Sequence, residues 1–345
     1  MAENKIQRTE IGDLGEFALI ERITKNFSSK NKSTIKGIGD DAAVVSNGNY
    51  ETLISTDMLL EGIHFDLSYM PLKHLGYKAV VVNLSDIYAM NARPEQITVS
   101  LGISNRFSVE AIDAFYEGVQ QACKTYNVDL VGGDTSASLK GLIVNITAIG
   151  KAKKEDIVYR SGAKVGDLIC VTGDLGSAFM GFQILNREKQ VYNENKNVQP
   201  DLAKHEFLVG RQLKPEAKKD LIAYFAENKI KPTSMIDISD GLSSELMHIA
   251  KQSEVGCQIF DANLPISKEV FDLAIELNID PMSCALSGGE DYEMLFTIDP
   301  KDEHKINDAE IDVSFIGSIV KASEGCTITT ASNNVHKLIA QGWKA

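Results

Sequence analysis

Six short segments of this chain place acidic or small polar residues where strands are expected to meet loops. They are Gly37-Ile38-Gly39-Asp40-Asp41, Ser55-Thr56-Asp57, Asn83-Leu84-Ser85-Asp86, Gly132-Gly133-Asp134-Thr135-Ser136, Asp237-Ile238-Ser239-Asp240-Gly241 and Ser287-Gly288-Gly289-Glu290-Asp291. A single aspartate in a Gly-rich turn is ordinary turn chemistry, because its side chain bonds the backbone two residues on. The set is harder to explain that way. Most of these acids directly follow an apolar run, so core elements are expected to deliver them to one end of a sheet, where open α/β folds bind ligands. Carboxylates gathered there repel one another unless cations intervene. An oxygen-only donor set suits Mg²⁺ rather than zinc.

The formal net charge of −13 bears on the same point. It disfavours nucleic acid, whose binding needs basic surface to displace counterions. It would also repel phosphate, unless the carboxylates hold Mg²⁺ and the Mg²⁺ holds the phosphate. Two familiar phosphate motifs are excluded. Gly37-x-Gly39-x-x-Ala42 approaches a dinucleotide fingerprint, which needs a helix N-terminus facing the pyrophosphate. Here the residues that follow, AAVVSNG, read as a short strand, and Asp40 and Asp41 would set two negative charges against the phosphates. A Walker sequence G-x-x-x-x-G-K-[ST] does not occur in the chain, so P-loop chemistry is excluded.

The elements that must position these residues alternate between helix and strand, the pattern of an α/β or α+β protein. Leu14, Phe17, Ile20, Ile23 and Phe27 recur at helical spacing over 12–27, and 73–91 reads as a long, mostly buried helix ending before Arg93-Pro94. A further helix is expected at 108–125. Strands are expected at 51–57, 96–103 and 142–150. The polar stretch 151–167 is the best domain boundary. Beyond it, 168–173 reads as a strand, 175–187 as a helix and the polar 189–203 as a surface loop. Helices then follow near 216–227, 241–253 and 267–277, with strands near 234–239, 292–298 and 313–319.

The 345 residues suggest two domains, and 43% hydrophobic with 24% charged residues is a normal globular balance. No run approaches a membrane span, and the N-terminus MAENKIQRTEIGDLGEF lacks the apolar core of a signal peptide, so a cytoplasmic protein is expected. The five cysteines are odd in number and widely spaced, with no C-x-x-C pair, which reads as plain thiols rather than a zinc or disulfide framework.

The ordered strings GIGDDAAV, STDMLLEGIHF, YKAVVVNLSDIYAMNARP, GGDTS, YRSGAKVGD, VTGDLGSA, IDISDGL and ALSGGEDYE resemble the thiamine-monophosphate kinase family. The likeness runs from about residue 12 to 319. That family belongs to a wider ATP-binding superfamily that includes aminoimidazole ribonucleotide synthetase, selenophosphate synthetase and a hydrogenase-maturation dehydratase. GDDAAV, GGDT and SDG are similar across the superfamily and point to fold and ATP. The STD-x-L-x-x-G-x-HF, NLSD-x-x-AM-x-A-x-P and ALSGGEDYE strings point more narrowly to the thiamine enzymes.

The resemblance implies a two-domain α/β fold. Residues 1–150 would bind ATP and Mg²⁺ and pair with a second copy in a dimer barrel, and 151–345 would complete the substrate site. It implies that Asp41, Thr56, Asp57, Asp86, Asp134, Asp237 and Asp240 ligate several Mg²⁺ ions, assisted by Ser55. Gly133, Asp134, Arg160 and Ser239 would contact ATP, with Tyr116 packed on the nucleotide. His64, Glu290 and Trp343 would contact thiamine monophosphate. The implied reaction is transfer of the ATP γ-phosphoryl group to that substrate's phosphate, with no residue acting as general base. Plainer roles stand beside these. His64 fits a satisfied turn histidine, Arg160 a surface-loop cation, and Trp343 a core cap. Tyr116 shares its helix with Ile112, Phe115 and Val119, as a core residue would. Two rival functions fit the same aspartates: another ATP-dependent synthetase of this superfamily, and a nucleotide-binding sensor without turnover.

Overall fold

Period-2 burial along the chain's apolar strands builds a first sheet with one covered face. In the computed structural model, which describes residues 11–307 and 311–339, its strands are β1 (Thr34–Lys36), β2 (Ala43–Asn47), β3 (Tyr50–Leu60), β4 (Arg93–Ile103), β5 (Asp129–Ala137) and β6 (Leu142–Ala152). They lie in the order β1-β2-β3-β6-β4-β5. Every neighbouring pair is antiparallel except β4 with β5. On β6, Leu142, Val144, Ile146 and Ala148 are buried in alternation with half-buried residues.

The second sheet holds β7 (Leu168–Thr172), β8 (Ser234–Asp237), β9 (Gly256–Phe260), β10 (Met294–Ile298), β11 (Val313–Val320), β12 (Cys326–Thr329) and β13 (Val335–Lys337). Their order is β13-β12-β9-β11-β7-β10-β8, and only β12 with β9 is parallel. The helices are α1 (Ile11–Thr24), α2 (Leu72–Ala89), α3 (Val109–Tyr126), α4 (Ser177–Glu194), α5 (Glu206–Leu213), α6 (Lys219–Asn228), α7 (Leu242–Ser253), α8 (Lys268–Glu276), α9 (Pro281–Ser287) and α10 (Glu303–Asn307). This is the mixed α/β class expected from the alternation.

Helix α2 is the keystone. It is apolar nearly all round, as a helix buried on every side must be, and almost every residue from Leu75 to Ala89 is buried. It packs on β3, β4 and β6 of the first sheet, on α3, and on β8 of the second sheet. A polar residue on α2 therefore faces protein on both sides.

Three expectations are corrected. The acids do not gather at one end of a sheet, because a mostly antiparallel sheet has no common carboxyl end. Asp57 lies inside β3, Asp86 inside α2 and Asp134 inside β5. The GGDTS segment is strand rather than loop: a backbone ladder with β4 holds it despite two glycines of low strand preference. The loop expected at 189–203 begins later, since α4 continues to Glu194.

Candidate active site

Alternation along β3 decides which side chains meet. Glu51, Leu53 and Ser55 are buried on the face that packs on α2, Asp57 follows them half-buried, and Thr56 is exposed. Ser55 donates a short hydrogen bond to the Asp86 carboxylate on α2. Asp57 is fixed through its backbone. Its N–H donates to Asn83 Oδ1 at 2.9 Å, and its carbonyl accepts from Asn145 Nδ2 at 3.0 Å. From the other side, Asp237 ends β8 and accepts a 2.6 Å bond from Ser85 of α2. Asp41, just before β2, is buried. Asp41, Asp86 and Asp237 each bring a carboxylate oxygen within 4.8 Å of the others. Three separate segments thus deliver one cluster, and α2 carries one of its members and bonds another.

Arg160 is the counter-charge. Its Nε and Nη2 donate to Asp41 Oδ1 at 3.1 and 2.5 Å, and its backbone N–H donates to Asp40 Oδ1 at 3.2 Å. The second oxygen of Asp41 is buried and accepts no hydrogen bond from the described residues. One guanidinium does not offset the crowding. Burial pushes the Asp41 carboxyl up to about 7 against the pull of Arg160. Burial, then the charge of Asp41, lifts Asp57 to about 6. Burial likewise lifts Asp237 to about 6, opposed by the Ser85 hydroxyl and Arg160. Asp86 is raised well above the usual carboxylate range by burial, with Asp57, Asp237 and Asp41 adding to it. Such a group of repelled, partly desolvated oxygens, one with an idle lone pair, has the donor chemistry of a hard-cation site.

The loop after α9 forms the other half of the site. Gly289, Glu290 and Tyr292 all have left-handed backbone, with φ of 71°, 58° and 50°. For the glutamate and tyrosine this is uncommon and costs strain that the surroundings must offset. Here the offset is visible. Glu290 N donates to Ser239 O at 2.7 Å and Tyr292 N to Ile238 O at 2.9 Å, stitching this loop to the loop that carries Asp237 and Asp240. Glu245, in the first turn of α7, accepts from the N–H groups of Ser239 and Asp240 at 3.1 and 2.8 Å and so shapes the same turn.

The Glu290 carboxylate is held at one oxygen. Oε2 accepts from Lys78 Nζ at 3.1 Å and from Gln212 Nε2 at 2.6 Å. Lys78, on α2, is buried and also donates to the Gln212 carbonyl at 3.0 Å. His64 is exposed, and its Nδ1 accepts from Leu60 N at 3.0 Å, the bond a turn histidine makes. Partial burial lowers its basicity, while the nearby Glu290 charge acts in the opposite sense. His64 and Glu290 therefore share one neighbourhood.

Of the other expected residues, Ser239 and Asp240 adjoin the cluster through Asp237, and the rest lie apart from it. Thr56 bonds Ile146 O, Asn145 and Thr147 instead of the acids. Asp134 pairs in register with Ser100, which pairs with Asn145 and so places it on the same side as Thr56. Gly133 admits no side chain, since a Cβ there would lie 1.9 Å from the Val99 carbonyl oxygen. Tyr116 packs edge-on against Phe115, ring centroids 5.5 Å apart, beside the core. Ser239 and Asp240 are exposed at the rim. Trp343 lies outside the described residues. Lys78, Gln212, Glu245 and Tyr292 were given no role from sequence, and Asn83 and Ser85 entered only as part of the segment that ends in Asp86. The one available signal was Lys78, a charge at the head of an apolar helical run.

Residues 39–152 match the family described as AIR synthase related protein, N-terminal domain. The chain is 36% identical to the thiamine-monophosphate kinase of Aquifex aeolicus, over 96% of this chain and 98% of that protein. It is 35% identical to the thiamine-monophosphate kinase of Bacillus subtilis, over 83% of this chain and 84% of that protein. Among solved structures, one described as AaThiL complexed with AMPPCP and TMP superposes with a TM-score of 0.83 at 32% identity, covering 98% of this chain and 99% of that one.

Proposed function

This chain belongs to the thiamine-monophosphate kinase family, and we propose that it transfers the γ-phosphoryl group of ATP to the phosphate of thiamine monophosphate, giving thiamine diphosphate and ADP. The observation that carries the chemistry is the meeting of Asp41, Asp86 and Asp237 within 4.8 Å, beside Arg160. The substrate follows from the relatives' names and from the AMPPCP and TMP of the solved relative. Incubation with ATP and thiamine monophosphate, followed by separation of thiamine phosphates, tests it. Stoichiometric thiamine diphosphate and ADP are expected, and ATP consumption with no thiamine diphosphate would refute it.

The site must bring two anions together. The acceptor is a phosphate whose second ionisation lies near pH 6, so it is largely deprotonated at pH 7 and needs no general base. Asp41, Asp57, Asp86 and Asp237, with Ser55 at their edge and Asp240 at the rim, suit Mg²⁺ ions, which when bound would neutralise the charge between donor and acceptor oxygens. Arg160 spends two donors on a single oxygen of Asp41, and a guanidinium's remaining donors suit a phosphate oxygen. Its backbone bond to Asp40 keeps its root in place. Ser239 offers a hydroxyl at the rim for ATP. Glu290, held by Lys78 and Gln212, and His64 beside it would position thiamine monophosphate, with Trp343 as their aromatic partner. Tyr116 is assigned to the nucleotide on the family resemblance.

Asp134, Gly133 and Thr56 gain a role if two copies pair. Strand β5, which carries exposed Leu130 and Val131, is exposed along its whole length at the edge of the first sheet, and the uncovered face of that sheet shows Ile54 and Met58. An unpaired edge with apolar neighbours favours pairing with a second chain. We therefore take the active form as a homodimer in which residues 1–150 form the shared sheet and 151–345 complete each site. In that form Asp134 of one copy serves nucleotide or Mg²⁺ bound by the other. Light scattering at assay concentration is expected to give the mass of two chains. A single-chain mass in a fully active sample would exclude the arrangement. No described helix is long and apolar enough to cross a membrane. We place the reaction in the cytoplasm, where ATP is made available.

The raised carboxyls give a pH signature. Unfolded aspartates ionise near their ordinary 3.8, while the folded cluster keeps protons up to about 6 or 7. The folded state thus binds more protons in that window, so this contribution to stability is full below pH 4 and is lost as pH rises towards about 7. Mg²⁺ must displace those protons at low pH and meets free carboxylates at high pH. In thermal melts, added Mg²⁺ is expected to raise the midpoint of chelator-treated protein more at about pH 8 than at about pH 5.5. An equal rise at both would show that these carboxylates are not the ligands.

A further inference from the structure

Two of the five cysteines, read from sequence as plain thiols, face each other. Cys257 lies on β9 and Cys326 opens β12. These strands run parallel, and the two residues are direct register partners. Partners on neighbouring strands point to the same face with backbones about 4.8 Å apart, inside the roughly 4.4–6.8 Å Cα separation that a disulfide spans. The register is pinned on both sides. Cys257 N donates to Gly325 O at 3.0 Å, and Leu338 N donates to Cys326 O at 2.9 Å. The Cys257 thiol donates a hydrogen bond to the Cys326 sulfur. We propose that Cys257 and Cys326 form a reversible intramolecular disulfide when the protein meets a peroxide.

The two thiols divide the chemistry. Cys326 is half-buried, so a small oxidant reaches it, while Cys257 is fully buried behind it. The hydrogen bond from Cys257 brings the Cys326 thiol down to about 7 against partial burial, helped by the Cys257 backbone and the charge of Lys337. The same hydrogen bond, together with burial, pushes the Cys257 thiol up. Cys326 is therefore the attacking thiolate. Its sulfur takes one oxygen from hydrogen peroxide, breaking the O–O bond and giving a sulfenic acid and water. The Cys257 sulfur then attacks the Cys326 sulfur, the S–O bond breaks, and the hydroxyl leaves as a second water with the Cys257 proton. Each disulfide consumes one peroxide, and a dithiol reductant returns both thiols. The remaining cysteines are unsuited. Cys170 and Cys284 are buried, Cys123 is half-buried, and burial raises the thiol of each.

The test is a thiol count on the native, reduced full chain after a brief exposure to hydrogen peroxide, with alkylation in denaturant and peptide mapping. The expected result is a fall from five free thiols to three, one linked peptide pair joining Cys257 to Cys326, and recovery of all five with dithiothreitol. The rate is expected to rise with pH through about 7. Cys257→Ser should trap Cys326 as a sulfenic acid that reacts with dimedone, and Cys326→Ser should leave the remaining thiols intact. Wild-type protein that oxidises Cys326 to a sulfinic acid with Cys257 still free would overturn the proposal, as would thiol loss at Cys123 at the same rate.

Discussion

Asp57→Asn is expected to lower turnover by at least about 10³-fold, the scale on which removal of one group that neutralises transferring phosphate acts, while leaving the metal-free protein as stable as the parent. The two halves have different causes. Asp57 is anchored through its backbone, by the bonds to Asn83 and from Asn145, and both survive an amide side chain. Its carboxylate adds a negative charge to a site that already holds Asp41, Asp86 and Asp237, and that crowding is part of what lifts all four above the ordinary range. Removing one charge relieves repulsion, so denaturant unfolding in chelator should show an unchanged or slightly higher midpoint. With the metal-ligating oxygen gone, thiamine diphosphate formation should fall, and excess Mg²⁺ should recover little of it. Near-parental turnover at limiting Mg²⁺ would remove Asp57 from the metal site.

Much of this site is legible in the residue types, and the parts that are not share a cause. The aspartates stand out because most of them follow an apolar run. What the runs cannot say is which element carries each acid. VVVNLSDI reads as part of a buried helix, which it is, but nothing in the run says that this helix touches both sheets. The separation of Thr56 from Asp57 was available in principle, since ETLISTD alternates and neighbours on a strand face opposite ways. Strand β5 was hidden because Gly-Gly-Asp-Thr-Ser has turn composition, and only the β4 ladder makes it extended. The bonds that assemble the site are long-range. Ser85 reaches Asp237 across 152 positions and Lys78 reaches Glu290 across 212. No local pattern encodes such pairs, because they arise only when α2 is clamped between the two sheets. Lys78 shows the consequence. In sequence it is one lysine inside a long apolar helix, and in the fold it is a buried ammonium whose charge partner is a candidate substrate ligand.

That pair supports the second large expectation. Glu290→Gln should destabilise the protein by about 3 kcal/mol, the lower end of what breaking a buried ion pair costs. The asymmetry of exposure sets the value. The Lys78 side chain is 2% exposed and that of Glu290 is 31% exposed. Loss of the carboxylate therefore leaves a buried ammonium with neutral acceptors alone, the Gln212 carbonyl and the new amide oxygen, and no counter-charge, whereas loss of the lysine leaves a carboxylate that water still reaches. Lys78→Met alone should cost less, about 1–3 kcal/mol, mainly through the unpaired Gln212 carbonyl and one lost donor to Glu290. The double variant Lys78→Met/Glu290→Gln removes both charges and should be more stable than Glu290→Gln alone, so the two costs must fail to add. Activity should not follow stability. If Glu290 contacts thiamine monophosphate, both variants that lack its carboxylate should show a raised KM for that substrate with the KM for ATP little changed. If stability and KM recover together in the double variant, Glu290 serves only to neutralise Lys78, and its role at the substrate falls.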